Sequence, residues 1–509
     1  MTLRLTMTER LLALTAPVAL ATACASFQGM ESAARLQSPD SYAAAASLPA
    51  QGGEWPRQTW VADIGGAPLQ ALVDEALAGN PGLRVAASRL TAARSLSDTA
   101  AAAGRPSVDA SFSSTYQRYS ENGQAAPSLA GRRKSDNELA LNFSYEFDFW
   151  GKHSAALRAA VSHAKAAEAE LHAARLLLTA AIARLWVNLA RQHEHLDLVE
   201  RQMQIREKME RLTQQRLAAG LDTQTDHQQS RRQSAALRVE QAHWQEAIAL
   251  TRNQLAALLG QGPDRGQRIP RAALPALGAA ALPDQLPLGL LGRRPDVVAA
   301  RWRAVAAQGG IDHAKAQFYP NINLMAFVGL SSLGLSNLFE RGSRIDGIGP
   351  AISLPVFDGG RLRAQLQGRI ADYDGAVAGY HQALSEALRE VADQVQSLRA
   401  AETQIRNQEA ATEAAQALLD LERQRQRAGT VNMLRVLAAE ASWLDQCKLG
   451  LDARARSVDL RVGLFKSLGG GFEAARYDLA APSAGPSVTP PSATQTPPTT
   501  HSTLAKSAS

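Results

Sequence analysis

Residues 138–149 read ELALNFSYEFDF, and the alternation in this stretch decides the fold. Leu139, Leu141, Phe143, Tyr145, Phe147 and Phe149 occupy every second position, with Glu138, Ala140, Asn142, Ser144, Glu146 and Asp148 between them. Successive side chains of a β-strand point to opposite faces, so this pattern predicts a strand with one apolar and one wet face. Upstream, Val108, Ala110 and Phe112 alternate with Asp109, Ser111 and Ser113. In the second half, Ile322, Leu324, Ala326, Val328 and Leu330 form one face of a third strand, and Ile352, Leu354 and Val356 one face of a fourth. A strand of a membrane barrel needs about 9–11 tilted residues, a length that these segments supply.

Long helices follow the strands. No proline or glycine interrupts His153 to Ala218, a run that makes a helix about 100 Å long. Leu178, Ile182, Leu185, Leu189, Leu196, Val199 and Met203 recur by threes and fours with one step of seven, the seam of a coiled coil. Gly220 breaks this helix, and a second is expected from about Thr223 to Leu259. The second half has the corresponding break at Gly429. Shorter helices at about 81–103 and 295–317 end before Pro106 and Pro320. Hairpins this long cannot bury their seams inside one compact globule and need neighbours. The expected fold is a mixed α and β membrane protein: a β-barrel with four strands per chain, continued by a long α-helical coiled-coil barrel.

The two halves read as an internal two-fold sequence repeat. At a shift of 214, Pro81, Ala86, Arg89, Asp98 and Pro106 meet Pro295, Ala300, Arg303, Asp312 and Pro320. The shift then becomes 209, where Gly151, Gly220, Leu255 and Gly260 meet Gly360, Gly429, Leu464 and Gly469. The five-residue difference lies between Pro106 and Gly151, where a loop between strands varies freely. The chain divides into a signal peptide (1–23), an N-terminal lipid-anchored wrapping segment (24–68), a first repeat (69–262), a linker (263–287), a second repeat (288–470) and a tail (471–509). The tail is rich in proline, serine and threonine from Ala481 onward and is expected to be disordered.

Of the 509 residues 45% are hydrophobic but only 5% aromatic, and much of the apolar share is alanine, which suits closely packed helices. The 54 basic and 48 acidic residues are interspersed, so a net charge of +6 points to solvated helix faces and not to a nucleic-acid surface. Arg4 and Arg10 followed by the apolar Leu11–Ala21 read as an export signal too short to remain as a membrane span. Ala21, Thr22 and Ala23 before Cys24 resemble the bacterial lipoprotein cleavage box. That resemblance implies a covalent lipid on Cys24, and Ala25 after it implies the outer membrane. Cys447 lies among Leu444, Leu449 and Leu451 as an unreactive helical thiol. Beyond residue 24 no run of about 18 apolar residues is evident, so no membrane helix is expected. A closed barrel is then the remaining way to cross a bilayer. Single-chain barrels have at least about eight strands, so four per chain demand oligomerisation.

Chemistry is sparse. His193, Glu194 and His195 are adjacent and therefore splayed about 100° apart on a helix, not spaced as zinc ligands. Gly469–Gly471 lacks the lysine–threonine or lysine–serine pair of a phosphate loop and reads as a helix stop. No catalytic residue, metal site or cofactor is expected beyond the lipid on Cys24.

Two segments carry a family resemblance. Leu291–Val298 (LGRRPDVV) continuing to Ala314, Lys315, Ala316, Phe318, Tyr319, Pro320 and Asn321 resembles the hallmark of the outer membrane efflux protein family, in its NodT-type lipoprotein branch, related to TolC. Gly349, Pro350, Ala351, Ser353, Leu354, Pro355, Phe357, Asp358, Gly359, Gly360 and Arg361 match a second family segment. The resemblance implies a homotrimer with a twelve-stranded barrel and a twelve-helix periplasmic tunnel. Its implied partners are a periplasmic adaptor and an inner-membrane pump of resistance-nodulation-division or major-facilitator type. It also places a gate at the hairpin tips, here Gly220 and Gly429. Where the family commonly carries acidic residues after the second turn, this chain has Arg435 and Ala438, and Asp226 follows the first turn. Asp226 and Arg435 are expected to face each other across the closed tip. The rival expectation is a lipid-anchored periplasmic coiled-coil scaffold, which explains the helices but not the alternating strands.

Overall fold

The computed structural model describes residues 27, 29–37, 41–43, 47–48, 52–124, 126–276, 283 and 286–480. The signal peptide, Cys24 and the tail beyond 480 lie outside these. In chain order the elements are α1 (Trp60–Gly79), α2 (Pro81–Ala103), β1 (Ser107–Arg118), β2 (Arg133–Glu146), α3 (Lys152–Ala218), α4 (Gln224–Leu258), the short α5 (Pro263–Gln267), α6 (Leu286–Arg293), α7 (Pro295–Ala316), β3 (Asn321–Leu333), β4 (Arg344–Ser353), α8 (Arg361–Arg427) and α9 (Met433–Ser467). From α2 and from α7 the order is the same: a helix of 23 or 22 residues, two strands, a helix of 67 and a helix of 35.

Each 67-residue helix begins on a left-handed glycine, Gly151 (φ 73°) or Gly360 (φ 89°), where a Cβ would be strained. A carboxylate then covers the free amides of the first turn. Asp148 accepts from the backbone of His153 at 3.0 Å and Ser154 at 2.8 Å. Asp358 accepts from Gly360 at 3.0 Å and Leu362 at 2.9 Å. These caps turn the chain from sheet to helix at both strand exits.

The 35-residue helices are extended end to end by the shorter ones. Asn80 caps α2, its side chain accepting from Leu83 N and donating to the terminal carbonyl of Leu258 on α4 at 2.8 Å. At the matching joint the Arg294 guanidinium donates to the Ser467 carbonyl at 3.2 Å, joining α9 to α7. Arg294 also grips Asp296 at 2.6 and 2.9 Å and Glu390 of α8 at 2.9 Å. Two stacked columns thus lie beside two continuous ones, α3 packing on α2, α4 and α7, and α8 on α7 and α9.

The main core sits at these joints. Ile182, Trp186 and Leu189 of α3 meet Leu255 and Leu259, Val458 and Val462, and the apolar side of α1. One stretch of α3 reaches a mean hydropathy of 1.4, enough to cross a membrane by length and composition. The sequence reading passed over it. Half of that stretch is buried against partner helices, which fits a core helix.

Several boundaries differ from expectation. The wrapping segment ends at residue 59, not 68. Trp60, Val61 and Ile64 already belong to α1 and are buried, the helix continuing past a break at Gly66 (φ 62°) with Pro68 inside it. Gly65, Gly66 and Pro68 disguise it as a loop. The linker 263–287 contains α5, and α6 starts within it. The tail is not disordered from 471: Phe472, Ala474 and Leu479 are buried on Trp302 and Ala166, and Trp302 Nε1 donates to the Leu479 carbonyl at 2.8 Å. Phe147 and Leu354 fall just past the ends of β2 and β4. Phe147 N still donates to Ile322 O at 2.9 Å, but Asp148 is committed to capping α3, and Leu354 is followed by Pro355, which cannot continue a ladder.

Candidate conduit and gate

The four strands form one antiparallel sheet in the order β1-β2-β3-β4. Register aligns the apolar residues into rows. Val108, Phe143, Ala326 and Ile348 form one row, and Phe112, Leu139 and Leu330 another. Leu141 lies opposite Ala110 and Val328, Tyr145 opposite Leu324, and Ile322 opposite Ile352. The reverse face carries Asp109–Asn142–Phe327 and Ser111–Ala140–Gly329. The sheet brings the predicted strand residues Phe112, Leu141, Phe143, Tyr145, Ile322, Leu324, Val328 and Ile352 onto one side.

That apolar side is bare. Phe112 is 59% exposed, Leu141 51%, and Ile352 69%. Every residue of β1 is exposed, and β1 and β4 each have one unpaired edge. The strand tops are staggered: β4 begins level with Leu330 of β3, while β2 starts at Arg133, three residues beyond Asp136, the partner of Leu333. Such progressive offset is what strands tilted around a barrel require. Aromatic side chains ring the helix-proximal end: Phe147 stacks on Phe149, and Trp150 stacks on Tyr319 while donating to Pro320 O at 2.8 Å. Phe357 is 92% exposed. Aromatic rings of this kind favour the water–bilayer boundary.

At the opposite end of the helices, α3–α4 and α8–α9 turn within five residues each. Gly220 (φ 71°) and Gly429 (φ 75°) adopt the left-handed conformation. Leu221 N donates to Arg216 O and Gly220 N to Leu217 O, a pattern repeated by Thr430 N to Arg425 O and Gly429 N to Gln426 O. Arg216 then forks onto Asp222 at 2.9–3.0 Å. Thr223 and Asn432 cap the outgoing helices. Asp226 completes a reciprocal cap, accepting from Thr223 N at 3.0 Å and the Thr223 hydroxyl at 2.6 Å. Hydrogen bonds from the Thr223 hydroxyl and backbone hold the Asp226 carboxyl below its ordinary range, with the charge of Arg216 helping. Arg435 occupies the same position of α9, and within the chain it forms no ion pair with Asp226 among the described residues. The sequence reading missed Thr223, although Thr-x-x-Asp before a helix is a legible capping signature.

The first described residue of the N-terminal strap lies beside the four-stranded sheet. Phe27 packs edge-on against Phe318, and Lys315 lies over its ring. Further on, Gln37 N donates to His381 Nε2 at 3.1 Å, and Trp55 lies against Gly289 under Arg293. The described strap residues therefore lie at the base of β3, beside α8 and against α6.

The histidines that invited a metal reading are separated by function. His195 Nε2 meets Asp452 at 2.8 Å and its ring stacks on Trp244, tying α3 to α4 and α9. Burial, with the charges of Arg252 and Arg271 adding to it, lowers the proton affinity of His193.

The outer membrane efflux protein family matches residues 72–261 and 286–470. Fusaric acid resistance protein FusA of Burkholderia cepacia is 38% identical over 317 residues, covering 61% of this chain and 59% of FusA. Multidrug resistance outer membrane protein MdtP of Escherichia coli is 32% identical over 432 residues, 83% of this chain and 88% of MdtP. The crystal structure of the outer membrane protein VceC of Vibrio cholerae superposes with a TM-score of 0.75 at 39% identity, covering 82% of this chain and all of VceC.

Proposed function

Because this chain belongs to the outer membrane efflux protein family, we propose that it acts as one of three identical subunits of a passive duct for drugs or other small solutes. It is an outer-membrane channel component of efflux that extends into the periplasm. In the trimer, β4 of each copy pairs with β1 of the next, and the helical columns continue as a tunnel. The observation that carries this is the pair of bare edges beside a bare apolar face: an unpaired edge this long is a template for another chain. With strands alternating in direction, an even number per chain lets every junction close antiparallel. A periplasmic adaptor and an inner-membrane pump, of resistance-nodulation-division or major-facilitator type, are the partners this reading requires. The chain carries no chemical step of its own. The doubled element order is read as an internal sequence repeat.

Cys24 is the lipid attachment point in this reading. Phe27, three residues later, already packs at the foot of β3, which keeps an acyl chain on Cys24 within reach of the bilayer. Replacing Cys24 by serine is expected to abolish palmitate labelling.

The gate is assigned to the tips around Gly220, Asp226, Gly429 and Arg435. Arg435 stands in the first turn of α9, where free amides favour an anion and a cation gains nothing locally. Its charge is useful only toward a carboxylate elsewhere, such as Asp226 of a neighbouring copy. Planar-bilayer recording tests this: Arg435→Ala and Asp226→Ala should each raise the closed-state current, and unchanged currents in both retire the assignment.

The trimer is tested by native mass spectrometry and by heat-modifiable migration on gels. A soluble dimer that leaves bilayers silent overturns the duct in favour of a periplasmic coiled-coil scaffold.

A further inference from the structure

The end of the sheet away from the helices carries charge that a passive duct does not require. Arg118 closes β1 directly opposite Arg133, which opens β2 between Arg132 and Lys134. The β3–β4 connection adds Arg341 and Arg344. All six are exposed. Arg118 reaches Glu121 at 2.9 Å and Arg344 reaches Asp346 at 3.1 Å. Arg132, Arg133, Lys134 and Arg341 form no ion pair among the described residues.

Register fixes which way the strand cations point. Arg118 shares the face of Phe112, Arg133 that of Leu139 and Leu141, and Arg344 lies opposite Leu330. Moving away from the helices along β1, the apolar side runs Phe112, Ser114, Tyr116, Arg118. The apolar band first gives way to a polar patch, in which buried Asn137 accepts from Ser114 at 2.7 Å and Ser135 at 2.8 Å. Exposed Tyr116 and Phe339 follow, and then the cations. Apolar rows, an aromatic border and a basic rim succeed one another on the outward side.

Like charges directly opposite each other across two strands, as Arg118 and Arg133 are, repel unless an anion lies between them. Guanidinium forks match phosphate oxygens bidentately, and a lipid carrying such phosphates presents acyl chains to the rows just below. Taken with the barrel reading above, the geometry points to a docking belt for the phosphorylated glycolipid of the outer leaflet, held through its phosphomonoesters by the outward-facing Arg118 and Arg133.

The experiment uses the purified full-length protein reconstituted into phosphatidylcholine vesicles doped with bis-phosphorylated lipid A or with its dephosphorylated form. Binding is read by quenching from labelled lipid, and assembly by thermal melting. Affinity should be at least about tenfold higher for the phosphorylated lipid, because each cation near an anionic surface contributes several-fold. The preference should disappear in Arg118→Gln/Arg133→Gln, while the melting of the helices stays unchanged. The wild-type comparison of the two lipids needs no variant, so a poorly folding variant does not rescue the idea. Equal binding of both lipids by a protein that inserts and conducts overturns this inference alone. Displacement by inorganic phosphate with no need for acyl chains overturns it in favour of a free-anion site. A protein that neither inserts nor conducts sinks the barrel reading and this inference together.

Discussion

Arg294 shows how much a single side chain carries at the joint between stacked helices. It is 4% exposed and binds two carboxylates and a helix-terminal carbonyl. Burial pushes the Asp296 carboxyl up, but the hydrogen bond and charge of Arg294 outweigh it and leave it lowered. Removing one member of such a network strands the others, so Arg294→Met is expected to cost about 3 kcal/mol or more in urea unfolding of the assembled protein. Adding Asp296→Asn and Glu390→Gln should recover part of that loss, because no uncompensated carboxylate then remains. If the single variant is neutral, the network is ornamental. Asp226 behaves differently because its partners are local. A carboxyl whose proton affinity is depressed in the folded state stabilises above the ordinary carboxylate range, and that contribution is lost as pH falls through and below it. Amide protection factors at Thr223–His227 should therefore be high at neutral pH and fall in acid. Asp226→Asn should show the low protection already at neutral pH, and a variant indistinguishable from the parent contradicts the cap's importance.

The helices of the first and second halves can approach closely only where side chains are small. Gly309 of α7 faces α3, and a Cβ there would meet Ala159 at 3.0–3.2 Å. Gly309→Leu should thus splay α3 from α7 and lower stability by about 1–3 kcal/mol, measured as a fall in melting temperature. This contact was not legible beforehand, because periodicity marks which face of a helix is apolar and says nothing of which neighbour it meets. The length of α3 was legible, since no proline or glycine interrupts it between Gly151 and Gly220, and that of α8 only through the repeat, because Gly368, Gly375 and Gly379 lie within it. Much of β4 was obscured by Gly347, Gly349 and Pro350, residues that weaken a strand signal but sit well on an edge. Helix α1 was hidden by Gly65, Gly66 and Pro68, and only burial of Trp60 and Ile64 against α3 and α9 makes it helical. At the tips, Gly220 and Gly429 announced the turns. The Arg216–Asp222 fork did not, because it depends on the path of the turn and not on a sequence period.

For the whole molecule the decisive question is which side of the sheet meets lipid, and neighbouring residues of β2 answer it. Leu141 lies in the apolar rows beside Ala110 and Val328, whereas Asn142 lies on the reverse face beside Asp109 and Phe327. Asn142 donates to Ser111 at 3.0 Å, as suits a wall bathed in water. An arginine facing hydrocarbon near the bilayer midplane costs about 2–4 kcal/mol in a barrel, and in the proposed trimer three copies would multiply that penalty. Leu141→Arg should therefore block insertion, leaving helical protein that fractionates away from the outer membrane. Asn142→Arg places the same charge one residue along and toward the proposed bore, where water would solvate it. That variant should insert normally and change only the anion preference of the open-state current. Fractionation followed by planar-bilayer recording distinguishes the two. Equal insertion of both variants means that the apolar rows do not face lipid. The reverse pattern, with Asn142→Arg excluded and Leu141→Arg inserted, means that the sheet curls the other way.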